Sequence, residues 1–101
     1  MKILIIDAQG GGIGKQLVLA VKGSMPDAVV TAVGTNSAAT SAMLKAGADH
    51  AATGENAVVV NSRKADVIIG PVGIVIADAL FGEITPLMAK AVAQSSGKRI
   101  L

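Results

Sequence analysis

The chain opens with an apolar, β-rich run, Ile3-Leu4-Ile5-Ile6, closed by Asp7 and followed almost at once by Gly10-Gly11-Gly12-Ile13-Gly14. This juxtaposition constrains the fold more than any other feature. An apolar run without polar alternation suits a central parallel strand buried on both faces. Beyond the glycines, Ile13, Leu17 and Val21 recur at spacing four, which marks one face of a helix. A strand, a glycine turn and a helix in this order open an α/β unit. Its turn presents free backbone N–H groups at a helix N-terminus.

The same alternation continues along the chain. Ala28 to Val33 reads as a second strand, and Gly34-Thr35-Asn36-Ser37 as the loop into a helix over about Ala38 to Ala46, with Asn36 or Ser37 as its N-cap. Ala48 to Ala52 reads as a short third strand. Glu55 to Lys64 is two-sided. Ala57-Val58-Val59-Val60 has strand propensity, but its position between two strands calls for a crossover, so a helix is expected. Val67 to Gly70 is a fourth strand. Gly73 to Leu80 is expected to form a buried helix, broken at Gly82-Glu83-Ile84. Thr85 then caps a last helix with Pro86 at its first position. Arg99-Ile100-Leu101 begins a fifth strand. Alternating units of this kind imply an α/β protein: one minimal Rossmann-like domain over residues 1–101, a doubly wound parallel sheet of four to five strands. The expected strand order is 3-2-1-4-5.

Composition excludes several chemistries. The 101 residues contain no Cys, Tyr or Trp and a single His, His50. Disulfides, thiolate metal sites, cysteine nucleophiles, a tyrosine acid and a two-histidine metal motif are therefore all ruled out, and no metal site is expected. A net charge of +2, from 9 Lys+Arg against 7 Asp+Glu, does not suggest nucleic acid, and Arg63-Lys64 and Lys98-Arg99 read as solvated turn residues. The longest apolar stretch, Val67 to Ala77, is interrupted by Gly70, Pro71 and Gly73 and falls short of the roughly 18 residues a membrane span needs. Met1 to Asp7 is too short for a signal peptide. A soluble cytoplasmic protein with no membrane partner is expected.

The glycine loop departs from two well-known phosphate-binding patterns. G-x-G-x-x-G fits at Gly10 and Gly12 but fails at Lys15. The P-loop pattern fails at Gln9 and Gln16, the latter removing the hydroxyl that would anchor magnesium. Ala8 to Gly14 resembles the G-x-x-x-G-I-G loop of short-chain dehydrogenases, with Ala8 in place of the first glycine, and Gly73 weakly echoes a second motif of that family. The resemblance covers about Met1 to Val21 and implies a dinucleotide pocket. The catalytic tyrosine of that family is absent. Over its full length the chain resembles a family of short bacterial proteins with no assigned function. The resemblance is carried by Asp7 to Lys15, Gly34-Thr35-Asn36, Ala52-Thr53-Gly54-Glu55-Asn56, Ile69-Gly70-Pro71 and Gly82-Glu83-Ile84-Thr85-Pro86.

Ligands of doubly wound sheets bind at the carboxyl ends of the strands, near the switch point between strands one and four. Four small or polar segments should meet there: Ala8 to Lys15, Gly34 to Asn36, Thr53 to Asn56 and Gly70 to Gly73. The expected binding residues are Gly10, Gly11, Gly12, Ile13, Gly14, Lys15, Thr35, Asn36, Gly70 and Pro71, with Asp7, Glu55 and Asn56 as a polar set. An NAD site wants an acid about 20 residues beyond the glycines, where Asn36 stands. That weakens NAD and NADP alike and leaves a mononucleotide, a nucleotide sugar or a coenzyme A fragment. Asp7 has two readings, a group that bonds a ribose or, with Glu55, holds a metal, and a carboxylate that fixes the turn through loop N–H groups. His50 is expected to be structural or exposed. The crowding of Val72, Ile74, Val75, Ile76, Leu80, Phe81 and Ile84 points to a homo-oligomer, a dimer, through this region. Three readings follow: a module binding a nucleotide or other phosphate-bearing ligand, an enzyme working through Asp7, Lys15 or Glu55 on a phosphorylated substrate, and an oligomeric scaffold with a non-functional loop.

Overall fold

The computed structural model describes all 101 residues. Its elements, in chain order, are β1 (Lys2–Asp7), α1 (Gly12–Ser24), β2 (Val29–Gly34), α2 (Ser37–Lys45), β3 (His50–Thr53), α3 (Glu55–Lys64), β4 (Val67–Ile69), a 3-10 turn (Val72–Val75), α4 (Pro86–Gln94) and β5 (Lys98–Ile100). The sheet is wholly parallel in the order β3-β2-β1-β4-β5, the doubly wound arrangement expected, with β1 at its centre.

The period-two geometry of β1 divides the core. Ile3 and Ile5 face one side, where Val18 and Val21 of α1 and Met43 of α2 cover them together with Val30 and Ala32. Leu4 and Ile6 face the other, packed with Val33, Val58, Ile68, Ile74, Ile84, Met88 and Val92. Both faces are therefore buried, which is why the run Ile3 to Ile6 shows no polar alternation. The valine-rich Glu55 segment is a helix because it must carry the chain from edge strand β3 across to β4. Glu55 in its first turn and Arg63 and Lys64 in its last complement the helix dipole.

Two aspartates pin the start of the sheet in the same way. The Asp66 carboxylate accepts the Lys2 N–H at 2.7 Å, while its own N–H donates to the Lys2 carbonyl at 2.9 Å. Asp49 does the same to Val30, at 2.8 and 2.9 Å, and also pairs with Lys22 at 2.9 Å. Each residue thus closes a small ring around the first residues of a neighbouring strand and sets its register.

The expected helix over Gly73 to Leu80 is not formed. The chain makes one short 3-10 turn, Val72–Val75, and continues in successive turns. Asp78, Leu80 and Phe81 adopt left-handed backbone angles, φ 65°, 57° and 58°, through which a right-handed helix cannot run. Ile74 and Ile84 are buried and Val75, Ala79 and Leu80 pack against the core, but Val72, Ile76 and Phe81 are exposed, so the segment is an anchored loop rather than a packed helix. Smaller differences of one or two residues occur at the ends of α2, β3 and β5. No helix is long and apolar enough to cross a membrane.

Candidate functional site

The rim at the carboxyl ends of β1 and β4 carries a pocket of about 180 Å³ lined by Asp7 to Ile13, Pro71 and Leu80. That is below the roughly 300 Å³ at which small-molecule sites begin. It has room for a phosphoryl-sized group, not for a dinucleotide.

The glycines of this loop serve two different purposes. A Cβ on Gly14 would lie 2.5 Å from Met43 Sδ and 2.8 Å from Asp7 Cβ. One on Gly11, itself at φ 77°, would lie 2.8 Å from the Ala39 backbone. These two are required by the packing of α1 against β1 and α2. Gly10 and Gly12 differ, because a Cβ at either position would meet nothing within 4 Å. Internal packing gives no reason for glycine there.

Asp7 has the turn-fixing role. It is 4% exposed and accepts the Ala8 N–H at 2.8 Å and the Gly14 N–H at 2.6 Å. The carboxylate stands at the α1 N-terminus, where the partial charge favours it. The Gln9 N–H donates to Glu83 and the Gly11 N–H to the Ala8 carbonyl. The N–H groups of Gly10, Gly12 and Ile13 remain without a protein partner, the latter two because they open α1. Left-handed angles at Gln9 and Gly11 curve the backbone into a concave nest of donors.

Glu83 is the residue the sequence does not place at the site. It reaches back from the loop before α4, and its Oε2 accepts the Gln9 N–H at 3.0 Å, the Asn36 Nδ2–H at 2.9 Å and the Thr35 hydroxyl. It therefore ties the loops after β1 and β2 to the loop before α4. Its advance signals are its place in the Gly82 to Pro86 run and the acid missing at position 36. The fold supplies a carboxylate beside Asn36 from another loop. The hydrogen bond from Thr35, then that from Gln9, hold the Glu83 carboxyl below the ordinary carboxylate range; partial desolvation opposes this, and Asn36 adds to it.

This has a testable sign. A carboxyl with a lowered folded value contributes its full stabilisation above the unfolded value and loses it as pH falls through the lowered folded one. The Gln9 backbone N–H and Asn36 side-chain N–H resonances are expected to hold steady through neutral pH and to move together in an acid titration, at a pH below that of a free glutamate. In Glu83→Gln that transition should vanish. A Gln9 resonance that titrates unchanged in the variant would remove Glu83 from this role.

The remaining expected residues divide. Thr35 and Asn36 sit beside Glu83, and Asn36 also caps α2 by accepting the Ala39 N–H at 2.9 Å. Pro71 lines the pocket, while Gly70 is buried against the Ile6 carbonyl, 2.6 Å from where a Cβ would stand. Lys15 is exposed on α1 and does not line the pocket. Glu55 accepts the Thr85 hydroxyl at the junction of α3 and α4 and does not line the pocket. Asn56 is exposed beside it, so the β3 loop does not join the pocket. Asp7, Lys15 and Glu55 therefore do not converge on one reacting centre. No group of three or more acidic or histidine side chains is placed to hold a metal ion.

The family described as Domain of unknown function (DUF3842) matches residues 2–101. The chain belongs to that family. The match spans the whole sheet, from β1 to β5, so the glycine loop, Thr35, Asn36 and Glu83 all lie within the family's domain. No curated protein matches the chain. No solved structure matches it either.

Proposed function

We propose that this protein is a small nucleotide-binding module that seats one phosphoryl group on the glycine loop. The observation that carries the reading is the coincidence of open glycines and open donors. Gly10 and Gly12 are free of internal packing, and the N–H groups of Gly10, Gly12 and Ile13 have no partner in the protein. Unpaired N–H groups at a helix N-terminus favour an anion, and a bare backbone lets it approach.

Two carboxylates at the same rim restrict the ligand. Asp7 and Glu83 would repel a polyphosphate, which favours a nucleotide with one phosphoryl group and free hydroxyls. Glu83 uses Oε2 for its three bonds. Glu83 stands behind the pocket wall, bonded to Gln9 of its lining, and its Oε1, which takes no bond in the protein, would accept from a ribose hydroxyl beyond the phosphoryl group, the role that Asn36 cannot fill as an anion.

Thermal-shift measurements with AMP, GMP, NAD, coenzyme A and nucleotide sugars test this. A ligand at 100 times its Kd stabilises by about 2.7 kcal/mol, a rise of roughly 10 °C or more for a domain this size. The nucleoside monophosphates are expected to give that rise. Gly12→Val should abolish it while leaving the unliganded midpoint within a few degrees, because the new side chain enters the pocket and not the core. Binding that survives Gly12→Val would place the ligand elsewhere.

A second reading, a self-associating module, has one specific observation in its favour. Phe81, the only Phe, Tyr or Trp, is 98% exposed and held in a left-handed conformation in the same loop as the exposed Val72 and Ile76. A bulky residue kept at such an angle, at about 1 kcal/mol or more of strain, with its ring in water implies a partner surface, and a second copy of the chain is the simplest. Light scattering at micromolar concentration should give a dimer, and Phe81→Ser a monomer. A monomeric parent protein would eliminate this reading.

A further inference from the structure

A second cavity lies at the opposite end of the sheet from the glycine loop. It has a volume of about 220 Å³ and opens where β1, β2 and β3 begin, beneath the last turn of α3. It exists because α3 is short. Ten residues of helix extend about 15 Å, against about 20 Å for the six residues of β1. The beginning of this sheet face is left open at Val29, Thr31 and His50, while Leu4 beneath stays buried.

This face has an unusual composition. Leu4, Thr31 and His50 form one row across the three strands. A parallel sheet beneath a helix is normally aliphatic in such a row. Here the middle strand carries a hydroxyl and the edge strand an imidazole. Lys2, from the next position on the same face of β1, and Lys64, from α3, complete the rim, with Asn61 beside them. The chain's one ion pair joins Lys22 to Asp49, so neither Lys2 nor Lys64 is neutralised.

Two carboxylates lie near this end: Asp66 accepts the Lys2 backbone N–H, which leaves its charge in place, and Asp49 accepts the Val30 N–H and the Lys22 ammonium and also attracts His50. The C-terminal dipole of α3 also faces this end, and Arg63 and Lys64 in its last turn offset it. The cavity thus combines basic groups at its mouth with one accessible apolar side chain, Val29, over the buried Leu4 and Ala65.

We propose that this cavity is a binding site for a small organic anion. An anionic oxygen head would lie among Lys2, His50 and Lys64 with charge-assisted hydrogen bonds, and a compact apolar body would lie on Val29, with Thr31 beside it. The volume suits a fragment-sized ligand, since drug-sized sites begin near 300 Å³. The site is independent of the glycine loop and needs no nucleotide there.

The single histidine makes the test direct, because its ring C–H signals report on this cavity alone. The full chain is titrated at fixed neutral pH with benzoate, phenyl phosphate, inorganic phosphate and the uncharged benzyl alcohol, and followed by NMR. Benzoate and phenyl phosphate should give saturable shifts at the His50 ring and at the Thr31 and Lys64 amides, with the Gly10 and Gly12 amides unmoved. Inorganic phosphate should bind more weakly and benzyl alcohol not at all. The double variant Lys2→Gln, Lys64→Gln changes two exposed side chains and should weaken benzoate binding about tenfold or more. Equal binding of benzyl alcohol and benzoate, affinity unchanged in the double variant, or no saturable shift at His50 with either aromatic anion would each overturn the proposal.

Discussion

Asp7→Ala is expected to lower the stability of this protein by about 3 kcal/mol, the loss of two buried hydrogen bonds to an ionised group at roughly 1.5 kcal/mol each. The Ala8 and Gly14 N–H groups both lose their acceptor, and Gly14 lies where neither water nor another side chain readily replaces it. For a domain of about 100 residues, that corresponds to a fall in Tm of roughly 12–24 °C. Asp7→Asn keeps one carbonyl acceptor but turns an amide NH₂ toward the second donor, so its loss should be intermediate. Denaturant unfolding of the three proteins gives the order directly. An alanine variant within about 1 kcal/mol of the parent would free Asp7 from the turn and return it to the list of groups available for a ligand or for chemistry.

Gly34→Ala is the second change with a large expected effect. Its Cβ would lie 2.5 Å from both the backbone N and the hydroxyl of Thr40 and 2.8 Å from the Asn36 carbonyl. Two of the three contacts are backbone, so no side-chain rotation relieves them. The start of α2 must move, at a cost near or above the top of the usual range for overpacking, about 3 kcal/mol. Thr35 and Asn36 lie within that displaced segment, so the Glu83 hydrogen bonds should loosen with it. Gly12→Ala is the matched control. With open space around its Cβ, it should leave stability unchanged or raise it slightly through the unfolded state. Equal unfolding midpoints for the two alanine variants would contradict the packing described at β2. Loosening at Gln9 and Thr35 in the Gly34 variant, read from amide exchange, would confirm that the α2 start holds the Glu83 cluster.

Parts of this architecture were readable in advance because they depend on contiguous residues. The unbroken run Ile3 to Ile6, the glycines after it and the spacing of Ile13, Leu17 and Val21 identify β1 and α1 from local pattern alone. The helix at Glu55 to Lys64 was readable for a different reason. Its valines favour a strand, but a parallel crossover needs a long connection, and connectivity outweighs propensity there. The segment Gly73 to Leu80 misled because its apolar density resembles a helical face. Three left-handed residues, none of them glycine, stop a helix there, and nothing in the types Asp78, Leu80 and Phe81 announces it.

The candidate site divides along the same line. The amino-acid order by itself determined the α/β class, the sequence of elements, the central place of β1 and a turn of free N–H groups at its end, since these follow from side-chain periodicity and backbone chemistry within a few residues. Only the tertiary structure decided that Gly11 and Gly14 serve packing while Gly10 and Gly12 stay open, because that depends on which atoms of α2 and β1 lie opposite each Cα. It alone decided that Glu83 reaches Thr35, 48 residues away in the chain, and that Lys2, Thr31, His50 and Lys64 surround one cavity. Such meetings are set by strand order and by the short reach of α3 over the sheet. Both are properties of the assembled layers, and no local stretch of sequence encodes them.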